Sequence, residues 1–246
     1  MSGCGNASGV KGSSVRDREI DEILKQAARV PQEVDPALLD RIAGSIAPSL
    51  GPVRPLPPAG VLVAGLVLIC GAVALLGGIL LGLHGIQRMS ALERALIFPA
   101  LGIFIGLAAS ACLSEIIPGS RRRIAPSVLL AAASLGMLSV FALLFRDYRT
   151  ERFVSQGMAC LTAGLALAIP AALGSWLLLR RGFAVNPTSA GMVAGTLAGL
   201  AGVTMLELHC ANFEVPHVML WHTAVMLVCA GAGALLARAC ARQGRG

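Results

Sequence analysis

The chain has 246 residues, of which 56% are hydrophobic and only 13% are charged, and its mean hydropathy is +0.76. Soluble domains carry about 25% charged residues, so this composition argues against a soluble enzyme, a nucleic-acid-binding domain and a secreted disulfide scaffold. The net charge of +7 needs no nucleic-acid partner, because basic residues commonly flank membrane spans. The sequence therefore predicts an all-α, polytopic membrane protein that does not contact nucleic acid directly.

The first 58 residues have the charge of a soluble tail. They hold seven Lys/Arg and seven Asp/Glu, whereas the other 188 residues hold thirteen basic and six acidic residues. Residues 1–14 are rich in Gly and Ser and are predicted to be disordered. Residues 15–50 are predicted to form a cytoplasmic two-helix segment, and the prolines of residues 51–58 predict a stiff linker that leads to the bilayer.

Two apolar stripes at helical spacing indicate the helices of this tail. Asp35 is the predicted N-cap of the second helix, with Pro36 at its first position. Helices this short are marginal in water by themselves, so we expect them to pack on each other, on a partner or on the membrane surface. The stripe residues are Ile20, Ile23, Leu24 and Ala27 in the first helix, and Leu38, Leu39, Ile42 and Ile46 in the second.

Six apolar segments follow, each close to the roughly 20 residues that a helix needs to cross a bilayer. They make residues 59–237 a six-helix transmembrane domain, and residues 238–246 a C-terminal tail. Fifteen Lys/Arg fall on the side of the N-terminus and five on the other side, so we expect both termini to be cytoplasmic. The predicted spans are Ala59–Leu83, Ala95–Ile117, Ile124–Phe145, Gln156–Leu179, Thr188–Leu208 and Pro216–Ala237.

A polar cluster lies around the outer ends of the fifth and sixth predicted spans. Three of the four histidines fall within fourteen residues there, and thiolate with imidazole suits Zn or Cu(I). The alternative is that these groups only hydrogen-bond between helices. No resident cofactor is expected, although a soft metal ion such as Zn is a candidate signal. The supporting cluster is Glu207, His209, His217, Trp221 and His222, and the candidate metal ligands are Cys160, Cys210, His209 and His217.

Two cysteines lie on the outer side in this topology. Cys160 is near the start of the fourth span and Cys210 lies just past the end of the fifth, which places both at similar depth. Their spans are joined by a short inner loop, so they should be antiparallel neighbours. We therefore expect Cys160 and Cys210 to form one signal-responsive site, by disulfide formation or by capture of a soft metal. The residues themselves do not choose between these two chemistries.

Several short motifs resemble the NrsF family of bacterial membrane anti-sigma factors. They are "PVRPLPP" before the first span, Gly157-Met158-Ala159-Cys160 in the fourth, Leu208-His209-Cys210 at the end of the fifth and Trp221-His222 in the sixth. The resemblance covers residues from about Gly51 to the C-terminus. Residues 15–50 form a longer two-helix segment than is expected of the family.

This resemblance implies a non-enzymatic regulator in the bacterial inner membrane that holds an extracytoplasmic-function sigma factor inactive. It also implies that Cys160 and Cys210 take part in sensing metal or oxidative stress. We expect the tail stripes to bind the sigma factor. One alternative is a small metal or solute transporter, which the scarcity of Asp and Glu at span centres disfavours. The other is a membrane redox protein, for which no CxxC motif or ligand set for haem or quinone is evident.

Overall fold

A computed structural model describes residues 35–47, 56–117, 124–150, 152–179 and 184–243, together with residues 20, 22, 23, 25, 26 and 182. The chain divides into two compact units, residues 1–55 and 56–246. The predicted disorder of residues 1–14 lies outside the described residues. So do Leu24, Ala27, most of the proline-rich linker, the end of the C-terminal tail and the side chain of Ile46.

The first unit contains α1 (Pro36–Ile46). Asp35 caps it as predicted, since its side-chain Oδ1 accepts a hydrogen bond from the backbone N–H of Ala37 at 2.9 Å. Such a cap satisfies one of the backbone donors that a helix N-terminus leaves unpaired. The stripe side chains that are described stay exposed, and they are Ile20, Ile23, Leu38, Leu39 and Ile42.

The second unit contains seven helices within its described residues, and six of them are long and apolar enough to cross a membrane. This confirms the predicted all-α class with six spans. The helices are α2 (Ala59–Leu81), α3 (His84–Arg88), α4 (Ala91–Ile116), α5 (Pro126–Leu144), α6 (Phe153–Leu179), α7 (Pro187–His209) and α8 (Val215–Gln243), and only α3 is too short to span.

Helix α8 continues beyond the predicted end of the sixth span. The apolar run that predicts this span stops at Ala237, and residues 238–246 are predicted to be a tail. The structure continues the helix through Gln243. Residues 238–243 consist of Arg, Ala, Cys and Gln; Ala, Arg and Gln are good helix formers, and the stretch contains neither Gly nor Pro. The end of the apolar run therefore does not mark the end of the helix, which continues as a more polar segment.

Helix α7 is the central element of the bundle. Its most apolar stretch is 67% buried, compared with 22–44% for the other spans, and it packs against α2, α4, α6 and α8. Glycines allow α8 to approach closely: a Cβ at Gly191 would lie 2.2 Å from the carbonyl oxygen of Gly233, and one at Gly195 would lie 2.1 Å from that of Cys229. The absence of side chains at Gly191 and Gly195 thus serves helix packing within the bundle.

Three connections meet at one end of the bundle, which we call the cysteine end: residues 82–90, 145–150 and 210–214. The N–H of Val215 donates to the carbonyl oxygen of Asp147 at 2.7 Å. Phe145 stacks on Phe213 with ring centroids 5.1 Å apart. A Cβ at Gly85 in α3 would lie 2.6 Å from the carbonyl oxygen of Glu207. These contacts hold the end of α7 and the start of α8 against the rest of the bundle.

Candidate functional site

The two cysteines selected from the sequence meet at the cysteine end. Cys160 lies two turns into α6, and Cys210 caps the C-terminus of α7, where its N–H donates to the carbonyl oxygen of Leu206 at 2.7 Å. The two Sγ atoms are 3.5 Å apart. Cys210 is 7% exposed and Cys160 is partly exposed. The two sulfur atoms are therefore in contact, but no disulfide bond joins them.

The environment of Cys210 favours its protonated form. Its hydrogen bond with Cys160 is the largest influence and raises the pKa of the Cys210 thiol above its ordinary value. Burial adds to this increase, whereas the hydrogen bond with His217 and the nearby imidazole of His222 lower the same pKa and only partly offset it. Because a thiolate is the reactive and metal-binding form, Cys210 has to lose a proton before it reacts or binds a metal.

Two buried histidines of α8 complete a group of four soft-metal ligands. Nε2 of His217 lies 3.5 Å from the Sγ atom of Cys210. One ligand atom from each of Cys160, Cys210, His217 and His222 lies within 4.8 Å of the other three. His217 is fully buried and His222 is 1% exposed. Two thiols and two imidazoles therefore converge on one point inside the bundle.

Glu207 of α7 orients one of these histidines. Its Oε1 atom lies 2.6 Å from Nδ1 of His222, and the carboxylate is fully buried. Nε2 of His222 has no hydrogen-bond partner among the described residues, so it is the nitrogen left available on that ring. The contact thereby determines which nitrogen of His222 faces the thiols.

A π-helical turn brings the two histidines together. In a regular α-helix, residues five apart point about 140° away from each other. Residues Val218–His222 instead form a π-helical turn, in which the hydrogen bonds join residues five apart. The rings of His217 and His222 pack edge to face with centroids 5.5 Å apart. Such turns are frequent at functional sites.

Trp221, in the same turn, packs against α6 instead of entering the site. A Cβ at Gly157 would lie 2.0 Å from the Trp221 ring, and the ring also contacts Phe153 with centroids 5.6 Å apart. Gly157 lies one turn before Cys160 on α6. The absence of a side chain at Gly157 therefore lets the start of α8 lie directly on the part of α6 that carries the thiol.

His209 occupies a different place from the one its sequence position suggested. Its Nδ1 atom lies 2.9 Å from the carbonyl oxygen of Gly82, and its ring lies 5.9 Å from that of His84. Of the four candidate ligands named from the sequence, Cys160, Cys210 and His217 belong to the group of four. His222, which the sequence analysis treated as a supporting residue, belongs to it in place of His209.

A cavity of about 1030 Å³ opens at the cysteine end and includes both thiols and His217 in its lining. Sequence reasoning did not anticipate the residues at its rim. Asn212 donates to Oε1 of Gln156 at 2.7 Å, which ties the loop after Cys210 to α6. Arg88 and Arg152 also line the cavity. The cavity provides a route by which a small solute can reach the thiol pair.

Comparison with known families adds the biological context for this site. Comparison with curated proteins and with solved structures gives no match. The family described as negative regulator of sigma F (NrsF) matches residues 46–242. That stretch contains all six spans and the whole cysteine end, and it leaves nearly all of α1 outside. The description of the family is that of a regulator. This chain belongs to the family of negative regulators of sigma F.

Proposed function

We propose that this protein is an anti-sigma factor of the bacterial inner membrane. It sequesters an extracytoplasmic-function sigma factor and releases it when a redox or metal stress signal reaches Cys160 and Cys210 from the periplasm. The observation that carries the sensing part is the thiol pair, with its Sγ atoms 3.5 Å apart in the lining of a cavity. Family membership supports the regulatory part.

The tail is the proposed sigma-binding element. Leu38, Leu39 and Ile42 of α1 are 44%, 52% and 45% exposed, so one face of this helix presents large apolar side chains. Amphipathic helices commonly bind by placing such a face in a groove of a partner. The sigma factor would cover this stripe, and its release would expose the stripe again.

The proposed orientation places the tail in the cytoplasm and the cysteine end in the periplasm. Its support is the excess of fifteen to five Lys/Arg on the side of the N-terminus. Reporter fusions at Ser120, Asp147 and Gly246 should read cytoplasmic, periplasmic and cytoplasmic, respectively. A cytoplasmic signal at Asp147 would overturn this orientation, since three arginines of the same loop have to be translocated with it.

Two chemistries at the thiol pair can carry the signal. Hydrogen peroxide, a two-electron oxidant, can take two electrons and two protons from the thiols, leaving a disulfide and two water molecules. The Sγ atoms would then move from 3.5 Å to about 2.05 Å. A soft metal ion would instead displace the two thiol protons and bind both sulfurs. Either event is proposed to change the sigma affinity by about 1–3 kcal/mol, the usual size of an allosteric coupling.

The tail assignment is tested by adding charge to the stripe. Leu39→Asp with Ile42→Asp should abolish capture of the sigma factor by the full-length protein, because each carboxylate would have to be buried without a partner. Gly44→Asp is the control: it adds one carboxylate on the opposite face of α1, where nothing lies within 4 Å of the new Cβ, and it should bind normally, whereas Leu39→Asp alone, with the same added charge, should bind weakly. Capture by the stripe variant at wild-type strength would contradict the assignment.

The sensing assignment is tested with single cysteine variants in cells. Cys160→Ser and Cys210→Ser should each blunt the transcriptional response to oxidant or metal, while Cys229→Ser on α8 should respond normally. Labelling of spheroplasts with a membrane-impermeant thiol reagent should detect both thiols before stress and lose both together afterwards. Wild-type responses from both single variants would show that the two cysteines contribute to helix packing and not to sensing.

A further inference from the structure

We propose that Cys160, Cys210, His217 and His222 form a four-coordinate site for a divalent metal ion of the zinc type, and that Glu207 is its positioning residue. This proposal deepens the proposed function, because it specifies the ligand of the thiol pair, and its meaning for regulation rests on that function. It also replaces His209 by His222 in the ligand set.

The distances match a tetrahedral site before any metal is bound. Zinc binds sulfur at about 2.3 Å and imidazole nitrogen at about 2.0–2.1 Å, which in a regular tetrahedron separates two sulfurs by about 3.8 Å and a sulfur from a nitrogen by about 3.6 Å. The Cys160 and Cys210 sulfurs are 3.5 Å apart, and Cys210 Sγ lies 3.5 Å from His217 Nε2. An ion can therefore bind with shifts of a few tenths of an ångström at these two edges.

Glu207 has the position that a carboxylate usually takes behind a metal-binding histidine. Such a carboxylate accepts the N–H of one ring nitrogen, fixes the tautomer and directs the other nitrogen to the metal. Glu207 Oε1 contacts His222 Nδ1 at 2.6 Å, while His222 Nε2 is buried without a hydrogen-bond partner among the described residues. A buried polar atom without a partner needs an explanation, such as an ordered water or an ion, and His222 shares a group with Cys160, Cys210 and His217 in which one ligand atom of each residue lies within 4.8 Å of the others.

The charges of the site fit a divalent cation. Binding releases the two thiol protons, and two thiolates with two neutral imidazoles then neutralise a 2+ ion. The ion with its four ligands is then neutral, and the carboxylate of Glu207 beside it is held by its contact with Nδ1 of His222, since an unpaired charge is strongly disfavoured in a site this deeply buried. Closed sites with two cysteine and two histidine ligands are typical of structural zinc. The cavity that contains Cys160, Cys210 and His217 provides the access route.

The π-helical turn explains why both histidines take part. It spans Val218–His222 and places both rings on the side of α8 that faces the thiols, which a regular helix would not do. Metal binding would therefore stabilise this turn and, through the bonds to α6 and α7, hold three helices together at the cysteine end. The site thus offers a physical basis for linking a bound ion to the arrangement of the bundle.

The test uses the purified full-length protein in detergent, reduced and metal-free, titrated with Co²⁺ and then with Zn²⁺. One equivalent of Co²⁺ should give the intense visible bands of a tetrahedral site together with a thiolate-to-cobalt charge-transfer band, and Zn²⁺ should remove both. Cys160→Ser and His222→Gln should lose or shift these bands. His209→Gln, a histidine change at the same end of the bundle, should leave them unchanged, which makes it the matched control.

Glu207→Gln separates a positioning role from a structural one. It should lower the affinity for Co²⁺ about 10–100-fold while leaving the band positions unchanged, because the four ligands stay the same. Circular dichroism and gel filtration of the metal-free variants establish that each is folded. If His222→Gln is folded and binds Co²⁺ like the wild type, the ligand set is wrong.

The outcomes for the site and for the proposed function are distinguishable. A wild type without a charge-transfer band, combined with a blunted response of Cys160→Ser in cells, would refute the metal site and leave thiol sensing in place. Tight binding of Zn²⁺ that leaves sigma capture unchanged would support the site and refute its role as the signal. Unaltered bands in both Cys160→Ser and Cys210→Ser would refute the metal site regardless of the response in cells.

Discussion

Helix α1 and the cysteine end depart from the usual distribution of polar and apolar groups in opposite ways. In α1, the apolar side chains of Leu38, Leu39 and Ile42 are 44–52% exposed. At the cysteine end, Glu207 and His217 are fully buried within an otherwise apolar bundle. Lipid can cover the apolar outer surface of the spans, but it explains neither the stripe on a helix outside them nor the buried charge.

The difference shows what each region requires to be stable. An exposed apolar stripe on a short helix gains free energy when another surface covers it. A buried carboxylate and imidazole are tolerated only when they are paired or hold an ion. The first region therefore points to a macromolecular partner and the second to an internal pair with a small ligand. Each of the following predictions changes one side of this contrast.

The largest effect is expected from removing half of the buried pair. Glu207→Ala should lower the free energy of unfolding by about 3–5 kcal/mol, since it leaves His222 buried without its partner. Replacing both groups by apolar residues, Glu207→Leu with His222→Phe, should recover most of that loss, although it should abolish metal binding. Unfolding of the single and the double variant in mixed detergent micelles measures the loss and the recovery. A single variant as stable as the wild type would show that the pair contributes little.

A smaller loss is expected where α6 and α8 touch beside the site. Gly157→Ala would place a Cβ 2.0 Å from the Trp221 ring, so the ring or the start of α8 has to move, at a cost of about 1–3 kcal/mol in unfolding free energy. Gly102→Ala on α4, where nothing lies within 4 Å of the new Cβ, should instead raise stability by up to about 1 kcal/mol, because alanine is the better helix former. Equal effects of the two variants would mean that this contact is not specific.

The fold and half of the site could be predicted from the sequence for separate reasons. The spans follow from apolar runs, because a bilayer demands about 20 apolar residues whatever the packing. The contact between Cys160 and Cys210 follows from their similar depth in the membrane, since neighbouring antiparallel helices bring residues at the same depth together. These inferences need only helix length and topology, which the sequence carries directly.

The role of His222 could not be predicted in this way. Periodicity assumes a regular helix, in which His217 and His222 point about 140° apart, and a π-helical turn appears only once α8 packs against α6 and α7. His209 looked the better ligand because it adjoins Cys210, but Nδ1 of its side chain faces the carbonyl oxygen of Gly82. The one available clue was the acidic Glu207 within a span, since buried carboxylates usually have a named partner.

On the tail, a modest effect is expected from the cap of α1. Asp35→Ala removes the hydrogen bond to the N–H of Ala37 and should cost about 1 kcal/mol of helix stability. If the sigma factor binds α1 as a helix, its affinity should fall about fivefold. Asp35→Asn, which caps equally well, should bind normally, as titration calorimetry with the full-length protein can determine. Undiminished binding of the alanine variant would indicate that the tail binds in another conformation.

The smallest effect is expected at an ion pair that resembles the buried one in distance but not in surroundings. Asp147 Oδ2 and Arg149 Nη2 are also 2.6 Å apart, yet their side chains are 40% and 70% exposed. Arg149 lowers the pKa of Asp147 chiefly by hydrogen bonding to it, but water and salt screen such pairs. The backbone carbonyl of Asp147 still accepts the N–H of Val215 whatever the side chain. Asp147→Asn should therefore leave the unfolding midpoint in micelles unchanged across neutral pH, in contrast to Glu207→Ala. A comparable loss in both variants would mean that burial is not what distinguishes the two pairs.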